Sequence, residues 1–259
     1  MPGTFTGACG QPYTLTMSQR SVTIDAIKGG LVGLMVVYHA TYVAVMFGLA
    51  DIDLFTGFWW LFPRMIAGGF VAVSGWNLAE KRGRGGSFGG FARRAGMLGL
   101  VALAISAVTW PALGKGFVFF GVIHLLALSS IIAWPLLGKP ALAIAVGLGC
   151  LAGGYALGGQ RFVFPWLAWL GLRPAGLHPA DYLPLLPWFA FIAFGAAAND
   201  MKRRVAAGAT HGTRKTARKP DPGVATRALA AIGKRSLVVY LVHLPLLYAI
   251  GWSLAAIRL

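Results

Sequence analysis

At 259 residues the chain is 57% hydrophobic and only 12% charged, with a mean hydropathy of +0.70. That composition excludes a water-soluble surface and makes the lipid bilayer the expected partner and solvent. The formal net charge of +16 comes from cations clustered between apolar runs, with no recognition module around them, so nucleic acid is excluded as a partner.

In chain order, residues 1–21 form a Gly/Thr/Ser-rich tail without the apolar stretch of a secretory signal, so the first span is expected to insert uncleaved. Apolar runs near 29–49, 57–79, 94–112, 117–137, 140–158, 183–199 and 236–257 are each long enough for a membrane-crossing helix. The expected fold is therefore an all-α polytopic membrane helix bundle of about seven transmembrane helices, a single domain over 22–259. Phe162 to Leu172 is too short to cross and reads as an interfacial or re-entrant segment. Residues 202–227, rich in Lys, Arg, Gly and Thr, are expected to form a disordered loop. No internal repeat is read. Cys9 and Cys150 lack metal-ligand spacing, so no metal site is assigned.

Charge orients the bundle. Lys81, Arg82, Arg84, Arg93 and Arg94 separate spans two and three, and ten Lys/Arg lie between Asn199 and Ser236, whereas the loop after span one carries Asp51 and Asp53. The basic loops are expected in the cytoplasm, together with the N-terminus. Seven spans then leave the His178 to Tyr182 segment and the C-terminus extra-cytoplasmic.

An ionisable side chain at membrane depth is costly unless it faces a cavity or a partner, so such residues mark candidate sites. Asp25, Lys28, Val32, Met35 and His39 follow a three-then-four spacing that stacks them on one helical stripe. The stripe is expected to wall a cleft open to the cytosol, with Gly29 and Gly33 allowing close approach of a helix or ligand. Arg64 precedes a small-residue face of Gly68, Ala72, Gly75 and Ala79 and is expected to point inward. His124 follows Gly121, and Ser236, Tyr240 and His243 share one face just before Pro245. Each histidine has a structural reading as a hydrogen-bonding residue between helices, and Asp181 has one as the N-cap of span six.

Five segments carry a family resemblance: IDAIKGGLVGLMVVYHA at 24–40, GGFVAVSGWNLA at 68–79, FGVIHLLALS at 120–129, HPADYLPLLPWFAF at 178–191 and GKRSLVVYLVHLPLL at 233–247. Together they resemble bacterial members of the heparan-alpha-glucosaminide N-acetyltransferase catalytic-domain family. The start also resembles the wider transmembrane acyltransferase superfamily, in which an arginine, ten residues and a histidine open the first helix. Lys28 stands at that arginine and His39 at that histidine, which the superfamily uses for acyl transfer.

The resemblance implies an integral protein of a bacterial inner membrane that moves an acyl group, acetyl foremost, from cytosolic acyl-CoA. The acceptor would be a hydroxyl or amine of a sugar-like molecule, and no metal takes part. His39 is then the expected base, His124 and His243 orient it or the acceptor, and Asp181 lies on the acceptor side. Lys28, Arg64, Arg93 and Arg94 are the candidate ligands of the CoA phosphates, with lysine lacking the planar fork of arginine. Self-association or membership of a membrane complex is left open, as is the alternative of a non-enzymatic membrane subunit or small proton-coupled transporter.

Overall fold

Apolar runs of this length become helices because, away from water, every backbone N–H and C=O must find its partner within the segment. The computed structural model describes residues 21–160, 162, 165–176, 179, 181–208 and 221–258; Cys9 and His178 lie outside the described residues. The helices among them are α1 (Val22–Met46), α2 (Gly57–Gly83), α3 (Phe88–Leu113), α4 (Val122–Ile132), α5 (Pro140–Gly158), α6 (Leu185–Gly208), α7 (Val224–Lys234) and α8 (Ser236–Arg258). The protein is thus an all-helical membrane bundle. Leu100, Leu103 and Val108 on α3 are 71%, 64% and 69% exposed, an outward apolar surface that suits lipid and would be costly in water.

Among the described residues four helices, α1, α3, α5 and α8, are long and apolar enough to cross a membrane. α2 and α6 are as long but less apolar, because each ends in charged residues. α4 corrects an expectation. Only Val122–Ile132 is α-helical in the run 117–137, about 16 Å of helix against a core of about 30 Å. The expected loop at 202–227 is helical at both ends, since α6 reaches Gly208 and α7 begins at Val224. The segment ending at Leu172 contains a 3-10 helix over Pro165–Leu170.

Side-chain pairings give the directions. Leu31 meets Gly69 while Tyr38 meets Phe62, so α1 and α2 are antiparallel. Ser106 meets His124 while Phe91 meets Trp134, which sets α3 and the chain through α4 antiparallel. Gly147 meets Phe194 while Gly154 meets Pro187, which does the same for α5 and α6. The starts of α1, α3 and α5 therefore gather with the ends of α2 and α6, and this end of the bundle carries the clustered Lys and Arg.

The small-residue face of α2 packs as expected. Gly75 touches the backbone of Ile192 and Gly195 that of Ala72, and along the pair Gly68 meets Phe191, Glu80 meets Asn199 and Gly83 meets Arg203, so α2 and α6 run in parallel. Residues 120 apart face each other along this pair, as the Arg203 to Gly83 hydrogen bond shows. Behind this contact Val71, Leu78, Phe91, Leu125 and Ile192 form the core.

A second parallel pair joins α1 to α7 and α8. Gly29 abuts the backbone of Leu229, and Gly233 abuts that of Asp25, so these backbones touch with no side chain between them. Farther on, Gly251 packs against Val43 and Phe47. The stripe expected to border an open cleft is therefore covered at its basic end by α7, because two glycines let that helix lie directly upon it; Asp25 and Val32 are each 2% exposed.

A Cβ at either seam glycine forces the helices apart, and overpacking of this kind costs about 1–3 kcal/mol. Gly29→Ala and Gly233→Ala should each lower the thermal midpoint in detergent, despite the roughly 1 kcal/mol that alanine gains in helix propensity. Gly33, with no atom within 4 Å of its Cβ position, is the control: Gly33→Ala should not lower the midpoint. Equal midpoints for all three variants would contradict the seam.

Candidate active site

The glycine seam sets the register of the residues beyond it. Continuing along α1 from Gly29, and from Gly233 of α7 into α8, brings His39 to His243, a pair 204 residues apart whose Nδ1 and Nε2 atoms lie 3.3 Å from each other. Their ring centroids are 4.9 Å apart with an edge-on angle of 68°. His243 is 5% exposed and His39 is half-buried. Tyr38 and His39 meet edge to face at 5.5 Å, and Tyr38 also touches Trp59 and Phe62, closing an aromatic wall from α2.

Neighbouring carbonyls assign the protons. His243 Nδ1 faces the carbonyls of Tyr240 at 2.8 Å and Val239 at 3.0 Å. A carbonyl only accepts, so Nδ1 of neutral His243 carries the hydrogen and its Nε2 presents a lone pair. His39 Nδ1 lies 2.9 Å from the carbonyl of Met35, so it too is the protonated nitrogen, shared between that carbonyl and His243 Nε2. The remaining Nε2 of His39 is then a free base, and among the described residues it has no hydrogen-bond partner.

Asp181 ties the surrounding segments together. Its Oδ2 accepts the Val122 N–H at 3.0 Å and the Tyr240 hydroxyl at 2.9 Å. Leu183 N–H donates to the Phe120 carbonyl at 2.9 Å, and the Tyr182 hydroxyl donates to the Ala168 carbonyl at 2.7 Å. Gly121 has no Cβ, and one there would strike the Asp181 carboxylate. Burial pushes the Asp181 carboxyl above the usual range, against the downward pull of the Val122 and Tyr240 hydrogen bonds. The N-cap reading is corrected in its target: α6 begins later, at Leu185, and Asp181 receives the first-turn N–H of α4 instead.

His124 is occupied at both nitrogens. Ser106 donates its hydroxyl to the Val118 carbonyl at 2.7 Å and so accepts from His124 Nε2 at 3.1 Å, while His124 Nδ1 accepts the Gly121 N–H at 3.2 Å. This ring orders the start of α4, and it borders an apolar cavity of about 480 Å³ with Gly99, Leu103, Phe120 and Trp169. His39 does not line that cavity.

The candidate cations are dispersed. Lys28 stands three turns before His39 on α1, half-buried and just off the glycine seam. Arg93 and Arg94 begin α3, near Lys81, which donates to the Gly90 carbonyl at 2.8 Å. Arg64, expected to point inward, is exposed; it bonds the Trp60 carbonyl and lies 3.9 Å over the Trp60 ring. The reason is the register of α2 on α6: the place that would cover Arg64 falls before Leu185, where α6 has not begun.

The Tyr240 to Asp181 bond and the histidine pairing are not legible from either segment alone. One signal for the pairing does exist: a glycine stands ten residues before each histidine, Gly29 in α1 before His39 and Gly233 in α7 before His243 of α8.

Asp181→Ala would strip an acceptor from a buried amide and a buried hydroxyl, each worth about 1–3 kcal/mol. The thermal midpoint should fall clearly, and less in Tyr240→Phe, which removes one hydrogen bond. A fall in Tyr240→Phe as large as in Asp181→Ala would contradict the hub.

Neither the curated proteins nor the solved structures give a match to this chain. The family model described as "Heparan-alpha-glucosaminide N-acetyltransferase, catalytic" matches residues 20–245, a span that holds His39, Asp181, Tyr240 and His243. Covering most of the chain and all of this hydrogen-bonded constellation, that match shows that the protein belongs to the heparan-alpha-glucosaminide N-acetyltransferase catalytic-domain family.

Proposed function

We propose that this member of a membrane acetyltransferase family transfers an acetyl group from cytosolic acyl-CoA to a hydroxyl or amine of a sugar-like acceptor, at or across a bacterial inner membrane. The observation that carries the reading is the His39–His243 pair, which leaves Nε2 of His39 as an unprotonated base. His39 Nε2 takes the proton from the acceptor as the acceptor oxygen or nitrogen attacks the thioester carbonyl carbon. The tetrahedral adduct collapses, the carbon–sulfur bond breaks, and the CoA thiolate takes the proton back from His39. While His39 is a cation, its Nδ1–H remains held by the Met35 carbonyl and His243 Nε2, so His243 and Met35 orient the ring and stabilise the imidazolium.

Lys28 lies eleven residues before His39, about 16 Å along the helix, and serves as a point charge for the CoA phosphates. Arg93 and Arg94 add to the positive field at the same end. Arg64, on the opposite half of α2, is not assigned to the donor. Clustered cations at the basic end support a cytoplasmic N-terminus and an extra-cytoplasmic C-terminus.

A second reading, a proton-coupled transporter, draws on the two histidines in contact within the bundle. CoA separates the two, since it should raise the thermal midpoint of a transferase and leave that of a transporter unchanged.

Purified protein with acetyl-CoA and a panel of amino sugars tests the proposal. His39→Ala should reduce transfer by about 10²–10⁴-fold, the usual contribution of a general base. His243→Ala should reduce kcat with little change in KM, whereas Lys28→Ala should raise the KM for acetyl-CoA. Undiminished transfer by folded His39→Ala would remove the base from the mechanism.

A further inference from the structure

We infer that the basic end of the bundle carries a separate phosphate-binding cradle formed by Arg82, Arg203 and Arg204, and that its occupant is the phosphate of an anionic membrane lipid. These arginines line a cavity of about 290 Å³ together with Gly83, Gly138 and Asp200. Two helix ends supply them, since α2 and α6 run in parallel and finish side by side. A Cβ on Gly83 would sit in the Arg203 guanidinium, so the glycine makes room for that group.

The hydrogen-bond and ring partners of the arginines are neutral, while the Glu80 carboxylate, paired with Arg84, lies near enough to Arg203 to attract it. Arg203 donates to the Gly83 carbonyl at 2.7 Å, Arg204 to the Gly138 carbonyl at 2.8 Å, and Arg82 lies 3.9 Å over the Trp134 ring and bonds the Gly86 carbonyl at 3.4 Å. Carbonyls and rings orient a guanidinium without cancelling its charge. None of the three takes part in the carboxylate ion pairs of Glu80 with Arg84 and of Asp221 with Arg227. Asp200 is the one acidic side chain of the lining, and its Oδ2 accepts the Gly138 N–H at 2.7 Å. Three cations against Asp200 in the lining and Glu80 beside it leave the cavity positive, and guanidinium forks match phosphate oxygens.

Position favours a lipid over a soluble donor. Arg82 lies on Trp134 and Lys202 lies 5.1 Å from the Trp76 ring, the pairing of aromatic and cation that marks the headgroup level of a membrane protein. The apolar stretch of α6 ends at buried Asn199 and Asp200, directly before these cations. The histidine pair lies far off: Tyr38 packs on Phe62, and Arg82 is twenty residues beyond Phe62 on the same helix, about 30 Å away. The cradle thus stands independently of the proposed chemistry.

The test uses the full chain in neutral detergent, with thermal midpoints recorded on adding short-chain phosphatidylglycerol, phosphatidylcholine, CoA or inorganic pyrophosphate. Phosphatidylglycerol should raise the midpoint and phosphatidylcholine should not. The rise should vanish in Arg203→Gln/Arg204→Gln, be reduced in Arg203→Lys/Arg204→Lys, and persist in Arg227→Gln, which removes a charge elsewhere. If the double glutamine variant does not fold, native mass spectrometry of Arg82→Gln should show loss of bound phosphatidylglycerol. An undiminished rise in both the double variant and Arg82→Gln would mean diffuse attraction to a basic surface and overturn the cradle. A rise with CoA or pyrophosphate alone, lost in the double variant, would overturn the lipid assignment in favour of a phosphate from solution.

Discussion

The contact between the backbones of α1 and α7 at Gly29 and Gly233 is the constraint on which the site rests. Two helices can touch at backbone distance only where neither carries a side chain, and that contact sets both their separation and their register. With the register set, the tenth residue beyond each glycine comes to the same height. Those residues are His39 and His243, and their ring-to-ring hydrogen bond follows from a fit made about 15 Å away. The second glycine seam, Gly75 and Gly195, does for α2 and α6 what the first does for α1 and α8. Both seams join helices that run in the same direction, which brings distant parts of the chain to a common end of the bundle.

Asp181 converts this helix packing into a connected site. A buried carboxylate is costly unless its oxygens are bonded, and here one oxygen collects the Val122 amide and the Tyr240 hydroxyl. The segment 181–183 is thereby fastened to residues 120–122, and α8 is fastened to both. Tyr240 also offers its carbonyl to His243 Nδ1, so the network that holds the loops selects the tautomer of the histidine next door. A base held by bonded neighbours loses little in reorganisation when it changes charge, which suits His39 to acid–base work.

The bundle separates its chemistry along its length. The paired imidazoles sit in the half remote from the clustered cations, against an aromatic wall, while Arg82, Arg203 and Arg204 gather at the other end around neutral carbonyls. His124, though close to Asp181 in the fold, is spent on the start of α4, with both ring nitrogens engaged. Three histidines at comparable positions in apolar helices thus have different chemical availability, decided by which of their nitrogens faces a carbonyl, an amide or another ring.

Helical membrane character was readable from the chain alone, as were the basic end of the bundle and the set of polar residues worth inspecting. Each is a local property: the length of an apolar run, the clustering of charge between runs, or an ionisable group within one. The five family-like segments were readable for the same reason, and four of them meet around Asp181 and the histidine pair, while the fifth packs α2 onto α6. Only the tertiary structure decided that Arg64 lies outside the packed face, that α7 covers the stripe on α1, that Asp181 serves α4 rather than α6, and that the return from α3 to α5 is made by a short α4 instead of one continuous helix. Those outcomes depend on which segments lie side by side and in what register. Register between helices two hundred residues apart is set by where two backbones can touch, and no single stretch of sequence records that.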